Sequence, residues 1–162
     1  MALVSAVLRM LVVALGAGVA LYLALWMFER LTPGIDEWKE IAGGNAAIGA
    51  VMASVVLAVA VVVWPTLSFS LSGLDLRIAQ VPMELAAEGL RILLGMGLAV
   101  GSVTLAAWLY GRLTGPIDEA AELRRGNLAV GLVQAAVILS TAVLLSSPAA
   151  AFVRLVLEAV FR

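Results

Sequence analysis

Four uncharged apolar runs constrain this chain more than any other feature: residues 10–28, 46–64, 92–110 and 128–146, nineteen residues each. At 1.5 Å per residue, a helix of that length spans roughly 28 Å, about the thickness of a bilayer's hydrocarbon core. Hydrocarbon offers no water to a bare N–H or C=O, so a segment of this kind settles as a helix that closes its own hydrogen bonds. Composition agrees. The chain is 64% hydrophobic and only 13% charged, with a mean hydropathy of +1.12. A soluble domain of 162 residues has no means of covering itself with so few polar groups. The expected fold class is therefore all-α integral membrane, with four transmembrane helices.

The flanks refine each span. The first run ends in Trp26, Phe28, Glu29 and Arg30 instead of a small-residue cleavage site, so it reads as a retained span, not a signal peptide. The second closes at Trp64 and Pro65. Its small residues Ala46, Ala50, Ser54 and Ala58 recur at every fourth position, a ladder on which another membrane helix packs closely. The third follows Pro82, Glu84, Glu88 and Arg91, suited to a helix start, and carries the GxxxG pair Gly97 and Gly101. Trp26 and Trp108 sit where amphipathic rings settle at a membrane surface. Arg9 and Arg91 snorkel to headgroups at the opposite surface. In the fourth run Asn127, Gln134 and Thr141 lie seven apart and share one helix face, which should point inward and away from lipid.

Two shorter stretches differ in kind. Residues 67–81 alternate apolar and polar side chains on both sides of Ser72-Gly73, the pattern of a small β-hairpin or an extended surface stretch. Ser147-Pro148 is expected to end the fourth helix. The tail 149–162, with Arg154, Glu158 and Arg162 on one stripe, then reads as a C-terminal interfacial helix.

A polar stretch occurs twice. RLTPGIDEWKEIAGGNAAIGAV (30–51) and RLTGPIDEAAELRRGNLAVGLV (112–133) align without a gap at an offset of 82. The scarce residues match: Arg30/Arg112, Thr32/Thr114, Asp36/Asp118, Glu37/Glu119, Glu40/Glu122 and Asn45/Asn127. That is a tandem duplication, with 1–81 and 82–162 as its two-helix units. Each unit holds an even number of spans, so the copies share one orientation. The expected arrangement is two tandem hairpins about a pseudo-two-fold axis along the membrane normal, with both polar copies on one side. Charge does not say which side is cytoplasmic. Arg30, Lys39, Arg112, Arg124 and Arg125 on the loop side balance Arg9, Arg77, Arg91, Arg154 and Arg162 on the other.

The polar copies are the first candidate site. Asp36, Glu37 and Glu40, with Asp118, Glu119 and Glu122, are expected either to gather cations at a pore mouth or to act as first-turn acids of short helices. The first copy holds four acidic and two basic residues over 29–45, and the second three of each over 111–127, so the first is the better candidate for binding. The second candidate is the seam of Asn127, Gln134 and Thr141. It either lines a hydrated path or bonds neighbouring helices. It is not duplicated, because Met52 and Val59 stand at the matching places in the second span.

No catalytic constellation is visible. The chain lacks His and Cys, removing the commonest general base, metal ligands and thiolate chemistry. No ionisable residue stands well inside a span, and pumps usually need one. The expectation is a protein that is not an enzyme, with no cofactor, no metal and no nucleic-acid partner.

The pattern Thr32-Pro33, Asp36-Glu37-Trp38, Ile41 and Asn45-Ala46-Ala47 resembles the bacterial membrane family catalogued as domain of unknown function 350. The resemblance implies a four-span protein of two such hairpins, in the bacterial inner (plasma) membrane, and covers essentially the whole chain. The second copy departs from the pattern at Gly115-Pro116 and at Ala120, which replaces the tryptophan. No catalytic residue follows from the family. Two functions remain in view: an assembly or scaffold subunit of a homo-oligomer or larger membrane complex, or a small cation channel or transport module using the acidic loops.

Overall fold

The computed structural model describes residues 2–32, 34–68, 81–115 and 117–161, and every regular element among them is helical. In chain order these are α1 (Ala2–Leu31), α2 (Glu37–Ala42), α3 (Ala46–Ser68), α4 (Val81–Thr114), α5 (Glu119–Arg124) and α6 (Leu128–Val160). The four long helices contain the four apolar runs, and each is long and apolar enough to cross a membrane. The short helices α2 and α5 fall within the two polar copies.

Helix α3 is the centre of the bundle. It touches α1, α4 and α6, and its pairing with α6 is the most extensive in the molecule. Ala47, Ile48, Val51, Ser54, Val55, Ala58, Val59, Val62 and Val63 are all buried. Small side chains explain how closely it is approached. A Cβ placed on Gly131 of α6 would lie 2.8 Å from the Ala47 carbonyl oxygen, and one on Gly95 of α4 would lie 2.6 Å from Thr66 Oγ1. Close backbone approach of this sort is how membrane helices hold together where lipid supplies no hydrophobic drive.

The expected packing ladder is only half used. Ser54 and Ala58 are buried, Ala50 is half-buried and Ala46 is exposed. The reason is geometric: at 3.6 residues per turn, a period of four drifts about 40° around the helix at each step. The GxxxG pair is displaced more completely. Gly97 and Gly101 are exposed, and a side chain on either would meet nothing within 4 Å. Helix α4 instead packs through Gly95, Ala99, Ser102, Val103 and Ala106, all buried.

Two prolines expected to end helices do not. Pro65 lies inside α3 and Pro148 inside α6. Helix α6 therefore runs unbroken through the stretch assigned to a separate interfacial helix at 149–162, and at 33 residues it is about 50 Å long. Its buried face continues past the proline through Ala149, Val153 and Leu157, so packing carries the helix on. Nearby hydroxyls bond the main chain at both prolines: Thr66 donates to the Val63 carbonyl (2.7 Å) and Ser146 to that of Val143 (2.8 Å). Beyond Pro148, Arg154 and Glu158 pair at 3.8 Å, one turn apart. Of the alternating stretch, residues 67–68 close α3 and residue 81 opens α4, while 69–80 lie outside the described residues. The Arg9 side chain does too, whereas Arg91 bonds Glu88 at 3.1 Å.

Equivalent sequence does not bring equivalent burial. The α3 positions Ala47, Val51, Ser54, Ala58 and Val62 face the core, while their counterparts on α6, namely Ala129, Val133, Ala136, Ser140 and Leu144, are all exposed. Helix α6 buries a different stripe: Gly131, Gln134, Ala135, Ile138 and Ala142. An axis relating the two copies would give matched positions matched surroundings, and burial in this pair of helices does not follow it.

Candidate functional site

Both polar copies build the same loop from the same residues. Thr32 ends α1, its hydroxyl 2.8 Å from the Phe28 carbonyl oxygen and 2.5 Å from Glu37 Oε1. Thr114 repeats this on α4, donating to the Tyr110 carbonyl (2.9 Å) and contacting Glu119 Oε1. A threonine hydroxyl holds one proton, so the carbonyl and the carboxyl share it. A glycine turns the chain in each copy, Gly34 after Pro33 in the first and Gly115 before Pro116 in the second, with φ of 81° and 46° in the left-handed region. Asp36 then caps α2 by accepting from the Lys39 amide (3.1 Å), and Asp118 caps α5 by accepting from the Ala121 amide (3.0 Å). The loop closes when Glu40 Oε2 accepts from Asn45 Nδ2 (2.9 Å) and Glu122 Oε2 from Asn127 Nδ2 (2.7 Å).

The six carboxylates are therefore engaged one by one in folding the loops. Asp36 and Asp118 are exposed caps, Glu37 is buried and braced by Thr32, Glu119 is half-buried and braced by Thr114, and Glu40 and Glu122 bind the asparagines. They do not converge: among the described residues, no group of three acidic side chains is placed to hold a metal ion. The Glu122 carboxyl is held below its usual range, chiefly by the bond from Asn127 and then by that from Arg125 (2.8 Å).

The asparagines have diverged in role. Asn45 Oδ1 accepts from the amides of Ala47 (3.2 Å) and Ile48 (3.3 Å), capping α3, while its Nδ2 also donates to the Leu123 carbonyl at 2.8 Å. Asn127 makes no side-chain cap. The junction between the copies is thus held from the first loop. Beside it lies an open cleft of about 410 Å³ lined by Lys39, Glu40, Gly43, Gly44, Asn45, Arg124, Arg125 and Gly126. Three cations meet there, one from the first copy and two from the second.

Sequence reasoning left several of these relationships unread. The Thr–Glu brace had a signal, the same five-residue spacing in both copies. So did the stacking of Arg30 on Trp26 (5.0 Å to the ring centroid) and of Arg112 on Trp108 (5.4 Å), one turn apart in each copy. The cationic cleft had none, because Lys39, Arg124 and Arg125 stand at non-equivalent places in the repeat.

The polar seam is placed inward only in part. Gln134 is buried, while Asn127 and Thr141 are half-buried. Thr141 donates to the Val137 carbonyl of its own helix (2.8 Å), and Gln134 Oε1 has no hydrogen-bond partner. Among the described residues, no hydrogen bond links one member of the seam to the next.

Four apolar helices joined in pairs by loops that each hold a short capped helix define a multi-pass membrane protein built from a tandem repeat. The profile of the family described as Domain of Unknown Function (DUF350) matches twice, over residues 2–81 and 83–161, and the chain belongs to that family. Neither the curated proteins nor the solved structures supply a match.

Proposed function

We propose that this chain is a non-enzymatic assembly or scaffold subunit of the bacterial plasma membrane, forming a homo-oligomer or joining a larger membrane complex. One observation carries the reading: α6 leaves exposed the stripe Ala129, Val133, Ala136, Ser140 and Leu144, the counterpart of the stripe by which α3 is buried. A helix face of the same register serves as a packing surface once in the chain and stands open in the second copy. The exposed Gly97 and Gly101 on α4 add a second surface of small residues, suited to close helix contact between subunits. In such an assembly the matched faces of α3 and α6 both become interfaces, the first within the chain and the second between subunits.

The engagement of all six carboxylates in local bonds counts against a loop that gathers cations for a channel. The test uses the absence of cysteine. Single variants V133C, S140C and G97C, oxidised in native membranes, should give cross-linked species through the α6 or α4 face, whereas L113C, exposed on the opposite side of α4, should not. A protein that stays monomeric with all three cysteines, after extraction in mild detergent as well, overturns the reading. Cation flux through liposomes holding the wild-type protein would favour the channel instead.

A further inference from the structure

We propose that the cleft between the two loops binds the phosphate of an anionic lipid headgroup. Three features support this, independently of how the subunits assemble. The first is charge. Lys39, Arg124 and Arg125 line the cleft against one carboxylate, Glu40, whose Oε2 is already bonded to Asn45. Arg125 is bonded to Glu122, whereas Lys39 and Arg124 are exposed and make no side-chain hydrogen bond or ion pair among the described residues. The loops as a whole are not basic, so this concentration comes from the fold: the acidic side chains are turned to caps and braces, and the cations are left facing the gap.

The second is depth. The cleft adjoins the first residues of two spans, α3 beginning at Ala46 and α6 at Leu128. The Trp26–Arg30 and Trp108–Arg112 stacks close the other two spans on the same side, and Trp38 of α2 is exposed beside Lys39. Aromatic rings in this arrangement mark the headgroup layer, so the groups nearest the cleft are lipid phosphates.

The third is shape. Gly43, Gly44 and Gly126 form part of the wall. Gly44 and Gly126, at φ of 86° and 75°, turn the chain at the end of each short helix and present no side chain to the gap. A phosphate thus has access to a guanidinium fork from one loop and an ammonium from the other, the pairing that both groups favour. A soluble phosphate shares this chemistry, and the experiment separates the sources.

The full chain, purified in a zwitterionic detergent, would be titrated with phosphatidylglycerol and separately with inorganic phosphate, binding being read by native mass spectrometry and thermal shift. K39Q/R124Q removes two charges without removing a described contact, so it should fold as the wild type does. R30Q/R112Q removes two charges from the same face outside the cleft. Phosphatidylglycerol should bind K39Q/R124Q roughly tenfold more weakly or worse, and R30Q/R112Q nearly as well as the wild type. A cleft-dependent shift with inorganic phosphate but not with the lipid keeps the site and reassigns its source to a soluble anion. Equal binding of lipid and phosphate by wild type and K39Q/R124Q, equal losses in both variants, or no binding to the wild type would overturn the proposal.

Discussion

Asn45 of the first loop donates a 2.8 Å hydrogen bond to the main-chain carbonyl of Leu123 in the second, across 78 residues. The same carboxamide caps α3 and bonds Glu40, so one side chain sets a loop, starts a helix and ties the two copies together. Its counterpart, Asn127, bonds only Glu122.

The asymmetry predicts unequal losses. N45A should destabilise the protein by about 2 kcal/mol, a cap and a tertiary bond at about 1 kcal/mol each. N127A should cost less than half of that. Thermal unfolding of the two variants in the same detergent, followed by circular dichroism, checks this, and equal midpoints would remove the special role of Asn45.

The α3–α6 crossing makes a second comparison. G131A would place its Cβ 2.8 Å from the Ala47 carbonyl oxygen, a main-chain atom with little room to yield, and should cost about 1–3 kcal/mol. The matching substitution G49A meets nothing within 4 Å and should be neutral or stabilising by up to about 1 kcal/mol. Unfolding midpoints moving together in the two variants would contradict the close crossing.

Removing the hydroxyl that braces a buried carboxyl should also discriminate between the copies. T32V leaves Glu37, only 6% exposed, without its partner and should cost about 1–3 kcal/mol. T114V acts on the half-buried Glu119, where water substitutes more easily, and should cost less. Partial rescue of T32V by adding E37Q would support the brace, and an unchanged T32V melting curve would oppose it.

Glu122 carries a pH dependence whose sign is fixed. Its carboxyl is lowered in the folded protein by Asn127 first and Arg125 second, so its stabilisation is present above the ordinary carboxylate value of about 4.3. It is lost as pH falls through the lower folded value. The stability gap between wild type and E122Q should therefore be constant near neutrality and close on acidification below that range. A gap that widens with acid would reverse the assignment.

How much of this was legible beforehand differs from one element to another. The four spans could be read because a bilayer admits little besides a helix for an uncharged run of that length. The loops could be read nearly as well: breaker, acidic turn and asparagine are local chemistry, and Asp36, Asp118 and Asn45 cap where local rules place them. Pro65 and Pro148 were misread because a proline signal is local, while packing through Ala149, Val153 and Leu157 keeps α6 helical beyond it.

The sequence by itself determined a duplicated membrane protein, the position of its four apolar spans and the aspartate caps of its short loop helices, because each depends on neighbours within a few residues. Only the tertiary structure decided which small residues touch. Gly95 and Gly131 sit at close crossings while Gly97 and Gly101 stand open, because helix rotation selects among faces that composition leaves equal. It also decided that Lys39 meets Arg124 and Arg125, since charges from non-equivalent repeat positions gather only once the two loops are brought side by side.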